Sequence, residues 1–219
     1  KPSYGPSTLC VQASIFGHAC YVLANNGPID PAGATKAAQF VQLADQAGVP
    51  LIFLNNITGY MVGLSYEQGG MIKHGSKMIQ AVSNAKVPRL TLYIGASFGA
   101  GNYGMCGLAY EPDFLFAWPN ATTGVMGGAQ AAGTMTQVMT LAADRRGSAV
   151  DTVKLEEQEK RLTEHFDSQS GAFYTSGRLL DNGVIDPRHS RKVLGFALQT
   201  CAEARARTLT PNSFGVARM

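Results

Sequence analysis

The sequence predicts an α/β fold in which helices flank a largely parallel β-sheet. Short apolar runs alternate along the chain with longer segments of helical periodicity. Two of these runs, residues 49–54 and 90–94, are apolar almost throughout, which is typical of strands buried on both faces of a parallel sheet. The 219 residues are 45% hydrophobic and 15% charged, a composition that predicts one globular domain with a full core.

The amino-terminal elements form a predicted βαβ unit. Residues 8–16 and 18–24 are apolar runs separated by Gly17, the pattern of a β-hairpin. Turn-forming residues follow, and Asp30-Pro31 predicts the cap and first turn of a helix at residues 33–47. Gly48 ends that helix, and the strand at residues 49–54 completes the unit.

The rest of the chain continues this alternation. We predict a single helix at residues 65–86, capped by Ser65, followed by a strand that stops at Gly95. The remaining predictions are strands at residues 113–118 and 122–126, helices at 129–143 and 151–168, a charged break at 144–148, and a last helix from Asp186-Pro187 to about residue 207.

The stretch at residues 89–107, RLTLYIGASFGAGNYGMCG, is the strongest candidate for a site. Its pattern predicts a strand, a tight glycine turn and the start of a helix. Glycine lets a ligand approach the main chain, and the first N–H groups of a helix have no partners within it. We therefore expect a site made of main-chain groups rather than side chains.

Several interpretations of this stretch remain open at this level. Residues 95–99, GASFG, match the nucleophile elbow of α/β-hydrolases with Ser97 as nucleophile, completed by Asp144 with His165 or by Asp186 with His189. No HGGG-type segment precedes Ser97, however. A second interpretation is a purely structural turn where a helix packs closely on the sheet.

Two further interpretations use the helix start itself. Residues 99–104, GAGNYG, match a dinucleotide-binding fingerprint, but that motif needs an acidic residue at the end of the next strand, and Asp113 stands at its beginning. Alternatively, the Ala100 and Gly101 N–H groups form an oxyanion hole that needs no side-chain nucleophile.

Composition excludes several classes of function. The net charge is +3 with scattered basic residues, which argues against nucleic acid as a partner. No apolar run approaches the ~20 residues of a membrane span, and the first residues resemble neither a signal nor a transit peptide. The 4 cysteines and 4 histidines are dispersed without CxxC spacing, so we expect reduced cysteines and no protein-bound metal.

A resemblance to a known family rests on several stretches taken together. The sequence resembles the carboxyl-terminal half of the carboxyltransferase β subunits of biotin-dependent acyl-CoA carboxylases. The pairing of NITG with GNYGMCG is similar to the branch acting on 3-methylcrotonyl-CoA or geranyl-CoA, and NGPIDPAGATK at residues 26–36 favours the geranyl-CoA type. The matching stretches are residues 25–27, 56–63, 75–78, 99–107, 118–121, 125–128 and 181–187.

The resemblance implies a fold, an activity and partners. The family fold is a crotonase-like (ClpP/crotonase) ββα spiral, and residues 1–219 would be one acyl-CoA carboxyltransferase carboxyl-terminal domain. Such a ligase component acts in leucine or terpenoid catabolism, in the cytoplasm or the mitochondrial matrix. Its expected partners are an acyl-CoA, a carboxylase α subunit that carries biotin, and further copies forming a hexameric β core. The active site would lie between the amino half of one subunit and the carboxyl half of another.

The resemblance also implies roles for particular residues. The Ala100 and Gly101 amides would hold the ureido oxygen of carboxybiotin, while the amino half would hold the thioester oxygen. No metal or acid-base side chain would be required, because the biotin anion can take the proton. We expect biotin to contact Gly99, Tyr103, Gly127 and Gly128, and the acyl-CoA substrate to contact the loop of Thr58, Gly59, Tyr60 and Met61.

Three positions depart from the pattern of the family branch. Leu64, Leu108 and Ala129 stand where those subunits usually carry arginine, arginine and glutamate. If these charges form a buried network in the family, losing all of them together could leave stability unchanged. The largest cost comes from a buried charge that is left without its partner. The departures are also consistent with a paralogue that takes a different acyl group, or with an inactive assembly subunit.

Overall fold

A computed structural model describes residues 2–147 and 152–216, and it confirms the predicted α/β architecture. The sheet has six strands in the order β1-β2-β3-β4-β5, with β6 also pairing with β4. All pairs are parallel except the β1/β2 hairpin. The strands are β1 Thr8–Ile15, β2 His18–Asn25, β3 Leu51–Ile57, β4 Arg89–Phe98, β5 Phe114–Ala117 and β6 Thr122–Gly124.

The helices follow the predicted order, with three changes described below. They are α1 Pro31–Ala47, α2 Leu64–Gln68, α3 Met71–Asn84, α4 Gly99–Gly104, α5 Gly128–Arg146, α6 Thr152–Ser170, α7 Ala172–Gly177 and α8 Ser190–Ala206, with 3-10 turns at Leu108–Tyr110 and Pro187–His189. None of the helices in the described ranges is both long and apolar enough to cross a membrane.

The residues that cap α1 explain where this helix begins and ends. Asp30 accepts a hydrogen bond from the Gly33 N–H, and Pro31 occupies the first turn, where its missing N–H costs nothing. Gly48 ends the helix in the left-handed conformation, with φ of 69°. The predicted hairpin, helix and strand of this βαβ unit are confirmed.

Helices cover both faces of the sheet. On one face α1 and α3 pack against β2 and β3 around Leu23, Phe53 and Met78. On the other face α8 packs Leu194 and Leu198 against β3 and β4. Because β3 and β4 are buried on both sides, their sequences are apolar on both faces, as the sequence pattern predicted.

Two secondary-structure predictions were wrong. The single helix at residues 65–86 is divided into α2 and α3, since Gly70 adopts φ of 82° and breaks the helical path. Strand β4 does not stop at Gly95 but continues to Phe98. The missing side chain at Gly95 admits the Asn56 carboxamide, which accepts a hydrogen bond from the Ala96 N–H at 3.3 Å.

Two smaller differences lie near the carboxyl half. Helix α5 runs through most of the predicted charged break and ends at Gly147, while residue 148 lies outside the described residues. The sequence did not predict α7, a short helix of six residues.

Strand β4 changes its pairing strand midway along its length, and this change positions the candidate site. Its first half pairs with β5 up to Tyr93, whereas its second half pairs with β6 from Ala96 onward. The chain of β4 then turns directly into α4 at the carboxyl edge of the sheet. Open α/β sheets place ligands in crevices at this edge.

Candidate active site

A groove of about 770 Å³ opens beside α4, at the carboxyl ends of β4 and β6. Its walls come from α4, the Leu108–Tyr110 turn, the segment after β6, and helices α6 and α7. The lining residues are Gly99, Ala100, Asn102, Tyr103, Leu108, Ala109, Thr123, Gly124, Val125, Met126, His165, Phe166, Gln169, Ser170, Tyr174, Thr175 and Leu180. Most of these side chains are apolar or uncharged.

The first turn of α4 presents main chain to this groove. Ala100 is exposed and borders the groove, and no side chain caps the amino end of the helix. Gly99 adopts φ of 55°, where glycine is the favoured residue, and a Cβ there would lie 3.0 Å from the Val125 carbonyl oxygen. The sequence therefore uses glycine here to turn the strand tightly into the helix.

Gly101 lies behind Ala100 and is buried. A Cβ at this position would lie 2.9 Å from Ile57 Cγ1 and 3.0 Å from Gly59 Cα. Glycine is needed at this position because α4 packs closely on the end of β3, not because a ligand approaches the Cα from the groove.

The two tyrosines expected to line a binding slot occupy different environments. Tyr103 is 46% exposed, borders the groove and packs edge-to-face on Tyr110 at 5.8 Å between ring centroids. Tyr60 instead packs between α3 and α4, beside Gly75 and against Gly104, with its hydroxyl 3.8 Å from Met78 Sδ. Desolvation by burial raises the pKa of the Tyr60 phenol above its ordinary value.

The loop expected to contact the acyl-CoA is tied to the turn before α1. Ile29 donates to the Gly59 carbonyl oxygen at 3.0 Å and accepts from the Met61 N–H at 2.9 Å. Thr58 is exposed, whereas Gly59, Tyr60 and Met61 are half-buried. None of the four borders the groove beside α4, so the loop presents a separate surface.

Gly127 and Gly128 lie just beyond the groove, at the start of α5. Gly128 is buried, and a Cβ there would lie 2.5 Å from Asp167 Oδ1 and 2.7 Å from the Thr163 carbonyl oxygen. It therefore brings α5 against α6. Gly127 is half-buried with open space around its Cα.

A buried polar network beneath α4 contradicts the hydrolase interpretation. Ser97 is 0% exposed, and its hydroxyl accepts from Asn102 Nδ2 at 2.8 Å and from Asn55 Nδ2 at 3.2 Å. A nucleophilic serine needs solvent access and a base within hydrogen-bonding distance. Here the neighbours are two carboxamides, which do not act as bases.

Two of the proposed triad partners contact residues other than Ser97. Asp186 forms an ion pair with Arg188 at 2.6 Å, and these contacts lower the pKa of its carboxyl to about 2. His165 lies 3.3 Å from Gln169 on α6. The dinucleotide interpretation fails in a similar way, because Asp113 accepts from the Arg89 N–H at the far end of β4.

The cysteine and histidine side chains are candidates for disulfides and for metal ligation. Cys10, Cys20, Cys106 and Cys201 are free thiols, and burial raises the pKa of the Cys106 thiol to about 11. Across residues 2–147 and 152–216, no group of three or more His, Cys, Asp and Glu side chains is arranged to hold a metal ion.

Sequence reasoning missed most of the opposite wall of the groove. Phe166 and Gln169 of α6, Tyr174 of α7, and Leu180 face α4 across the groove. These residues lie more than 60 positions from α4 in the chain and carry no motif. Leu108 was noticed only because it departs from the pattern of the family branch.

The α/β fold of this chain is that of the carboxyltransferases of the crotonase-like class. The family model described as "Carboxyl transferase domain" matches residues 1–216, and the chain belongs to this family. The structure superposes on the β subunit of Pseudomonas aeruginosa geranyl-CoA carboxylase with a TM-score of 0.91 and 52% sequence identity, covering 100% of this chain and 41% of that one.

Two curated relatives agree with this assignment. A probable biotin-dependent acyl-coenzyme A carboxylase β2 subunit of Mycobacterium tuberculosis is 49% identical over 100% of this chain and 41% of its own length. The mitochondrial methylcrotonoyl-CoA carboxylase β chain of Arabidopsis thaliana is 46% identical over 100% of this chain and 37% of its own length. The chain thus spans about two fifths of the proteins it resembles.

Proposed function

We propose that this chain supplies one half of the active site of an acyl-CoA carboxyltransferase. Membership of the carboxyl transferase family, combined with a groove whose wall begins at the α4 main chain, carries this proposal. The relatives contain a further region that this chain does not span. The active form would be a complete subunit, which we define as this chain together with the equivalent of that region, on one polypeptide or on two.

Biotin on a partner subunit would bring the carboxyl group to this groove. The residues present fit such a group, because the groove is lined by main chain, Tyr103, Leu108 and Phe166 and can hold an uncharged bicyclic ring. The Ala100 and Gly101 N–H groups belong to a first helical turn, where N–H groups have no partner within the helix. They would donate to an oxygen on which negative charge develops.

The acyl-CoA substrate is proposed to be of the geranyl-CoA or 3-methylcrotonyl-CoA type. Support comes from two relatives that carry these names, at 52% and 46% identity, and from the exposed loop at Thr58. The side chains of Leu64, Leu108 and Ala129 are all exposed, so the changes at these positions leave no unpaired charge buried in this chain. This favours an active subunit over an inactive assembly subunit.

We also propose that the complete subunit forms a homo-oligomer with a hexameric β core, as the resemblance to the family implies. Met135, Val138 and Leu141 form an exposed apolar stripe on α5, each 45% exposed or more. Stripes of this kind are typical of surfaces that another chain covers. Light scattering on the complete subunit measures the assembly directly.

The test is carboxylation of geranyl-CoA, 3-methylcrotonyl-CoA and acetyl-CoA by the complete subunit with its carboxylated biotin-carrying partner. We expect transfer to at least one branched acyl-CoA and little to acetyl-CoA. Ala100→Pro removes one N–H at a position in the first turn where proline is tolerated, and should lower the transfer rate ~10²-fold. Ala100→Gly keeps the N–H and should retain most of the activity. Equal rates for the two variants would remove the α4 amides from the mechanism.

A further inference from the structure

Helix α4 has almost no side chains with which to hold its own position. Of its six residues, Gly99, Gly101 and Gly104 are glycine and Ala100 carries only a methyl group. Glycine-rich helices of this length are unstable in isolation. Tyr103 is directed outward to the groove, which leaves Asn102 as the one large side chain that α4 directs at the sheet.

Asn102 is bonded to two hydroxyl groups of β4. Its Nδ2 donates to Ser97 Oγ at 2.8 Å and to Tyr93 OH at 2.9 Å, so both hydrogens of the amide nitrogen are used. Tyr93 and Ser97 are 5% and 0% exposed, respectively. Two bonds from one planar group to buried acceptors fix the rotation of α4 about its axis as well as its distance from the sheet.

The same face of β4 also holds the segment that follows α4. Thr91 donates its hydroxyl to the Cys106 carbonyl oxygen at 2.6 Å, and the Leu108 main chain lies beside the Tyr93 phenol. Because alternate residues of a strand share a face, residues 91, 93 and 97 form a hydroxyl row under residues 102–108. This row therefore supports one whole wall of the groove.

We propose that Asn102 and Tyr93 are positioning residues for carboxyl transfer, setting the orientation of the α4 wall against which the reacting group is held. This inference rests on the proposed function, since it assigns a role in the reaction attributed to the groove. It does not require either side chain to touch the reacting atoms. A displacement of about 1 Å in a reaction site is sufficient to lower a rate by as much as 10²-fold.

The experiment compares Tyr93→Phe with Tyr21→Phe in the complete subunit. Tyr93→Phe deletes only the hydroxyl that accepts from Asn102. Tyr21→Phe deletes a more exposed hydroxyl on β2, which also accepts from a carboxamide, that of Gln12 at 2.7 Å, and lies away from α4. Amide hydrogen exchange at residues 99–107 measures the anchoring, and exchange in α1 measures global stability.

We expect Tyr93→Phe to speed exchange at residues 99–107 about fivefold to tenfold, the worth of one net hydrogen bond, without changing exchange in α1. The kcat of transfer should fall about tenfold, while the KM for acyl-CoA stays unchanged. Tyr21→Phe should change none of these. Asn102→Leu, which removes both bonds, should lower kcat further, and Tyr93→Phe remains informative if that variant does not fold.

Two outcomes would overturn the proposal independently of the reaction assigned to the groove. Unchanged exchange at residues 99–107 in Tyr93→Phe would show that the hydroxyl does not anchor α4. Faster exchange with unchanged kcat in Tyr93→Phe would show that the orientation of α4 does not limit the reaction. If Ala100→Pro inactivates the subunit in the same experiments, the proposed function stands. If Ala100→Pro also retains normal transfer, the α4 amides take no part in the reaction; absence of transfer to every acyl-CoA tested, even in the unmodified complete subunit, is what would refute the proposed function.

Discussion

At the scale of single residues, Ser97 shows how burial decides between two meanings of one motif. Its sequence context matches a nucleophile elbow, but its hydroxyl is buried and serves as the acceptor for Asn55 and Asn102. The Asn55 Oδ1 atom in this network is buried and has no hydrogen-bond partner. The serine is therefore part of a structural network rather than a reactive group.

Ser97→Ala should destabilise the fold. Removing the hydroxyl leaves two buried amide donors without their acceptor, which costs about 1–3 kcal/mol. Urea denaturation measures the change in unfolding free energy, and Ser14→Ala, at an exposed position of β1, is the matched control with an expected change within about 0.5 kcal/mol. A fluorophosphonate probe should not label Ser97, and labelling that disappears in Ser97→Ala would restore the hydrolase.

Gly101→Val should abolish transfer by displacing α4 from behind. The valine Cβ would collide with Ile57 and Gly59, so the helix must move towards the groove and turn its N–H groups away. We expect a loss of ~10²–10³ in rate with acyl-CoA affinity retained, as for the loss of an oxyanion donor. Gly101→Ala should have an intermediate effect, because it adds one methyl group at the same contact. Normal carboxylation in Gly101→Val would make this segment purely structural.

At the scale of elements, the opposite wall of the groove depends on how closely α5 and α6 approach each other. Gly128 makes this approach possible, because its Cα faces Asp167 and the Thr163 carbonyl oxygen. Helix α6 then places Phe166 and Gln169 opposite α4. The width of the groove is thus set by a glycine that does not border it.

Gly128→Ala should move α6 and widen the groove. The added methyl group would lie 2.7 Å from a main-chain oxygen, which cannot move without shifting the helix. We expect a lower melting temperature and weaker biotin-dependent transfer in the complete subunit. Gly133→Ala on the same helix meets open space and should stabilise the protein by up to about 1 kcal/mol. Equal melting temperatures for the two variants would contradict this account of the packing.

At the scale of the whole molecule, the groove is an open surface rather than a closed pocket. It is open to solvent along α4, and the chain spans about two fifths of its relatives. In the proposed mechanism the thioester oxygen is held by groups outside this chain. Catalysis would then require both parts.

The chain alone, supplied with free biotin and an acyl-CoA, should therefore show no carboxylation above background. Adding the other region of the complete subunit should restore transfer, which is measured as carboxylated acyl-CoA by mass spectrometry. Turnover by the chain alone at the rate of the complete subunit would be incompatible with a site shared between two parts.

Local signals predicted most of the fold. The βαβ unit follows from Asp30-Pro31, Gly48 and two apolar strands, because caps and strand burial act over a few neighbouring residues. The same signals failed at Gly70 and Gly95. A glycine can break a helix, or admit a neighbouring side chain within a strand, and its own sequence context does not distinguish these roles.

The sequence by itself determined the α/β class, the order of the elements, the resemblance to a carboxyltransferase family, and α4 as the place where main chain is exposed. Only the tertiary structure decided that Ser97 is buried, that Gly101 packs on Ile57, and that α6 and α7 form the opposite wall of the groove. The physical reason is distance along the chain. Propensity and capping are properties of neighbouring residues, whereas burial and groove width depend on contacts between segments far apart in sequence.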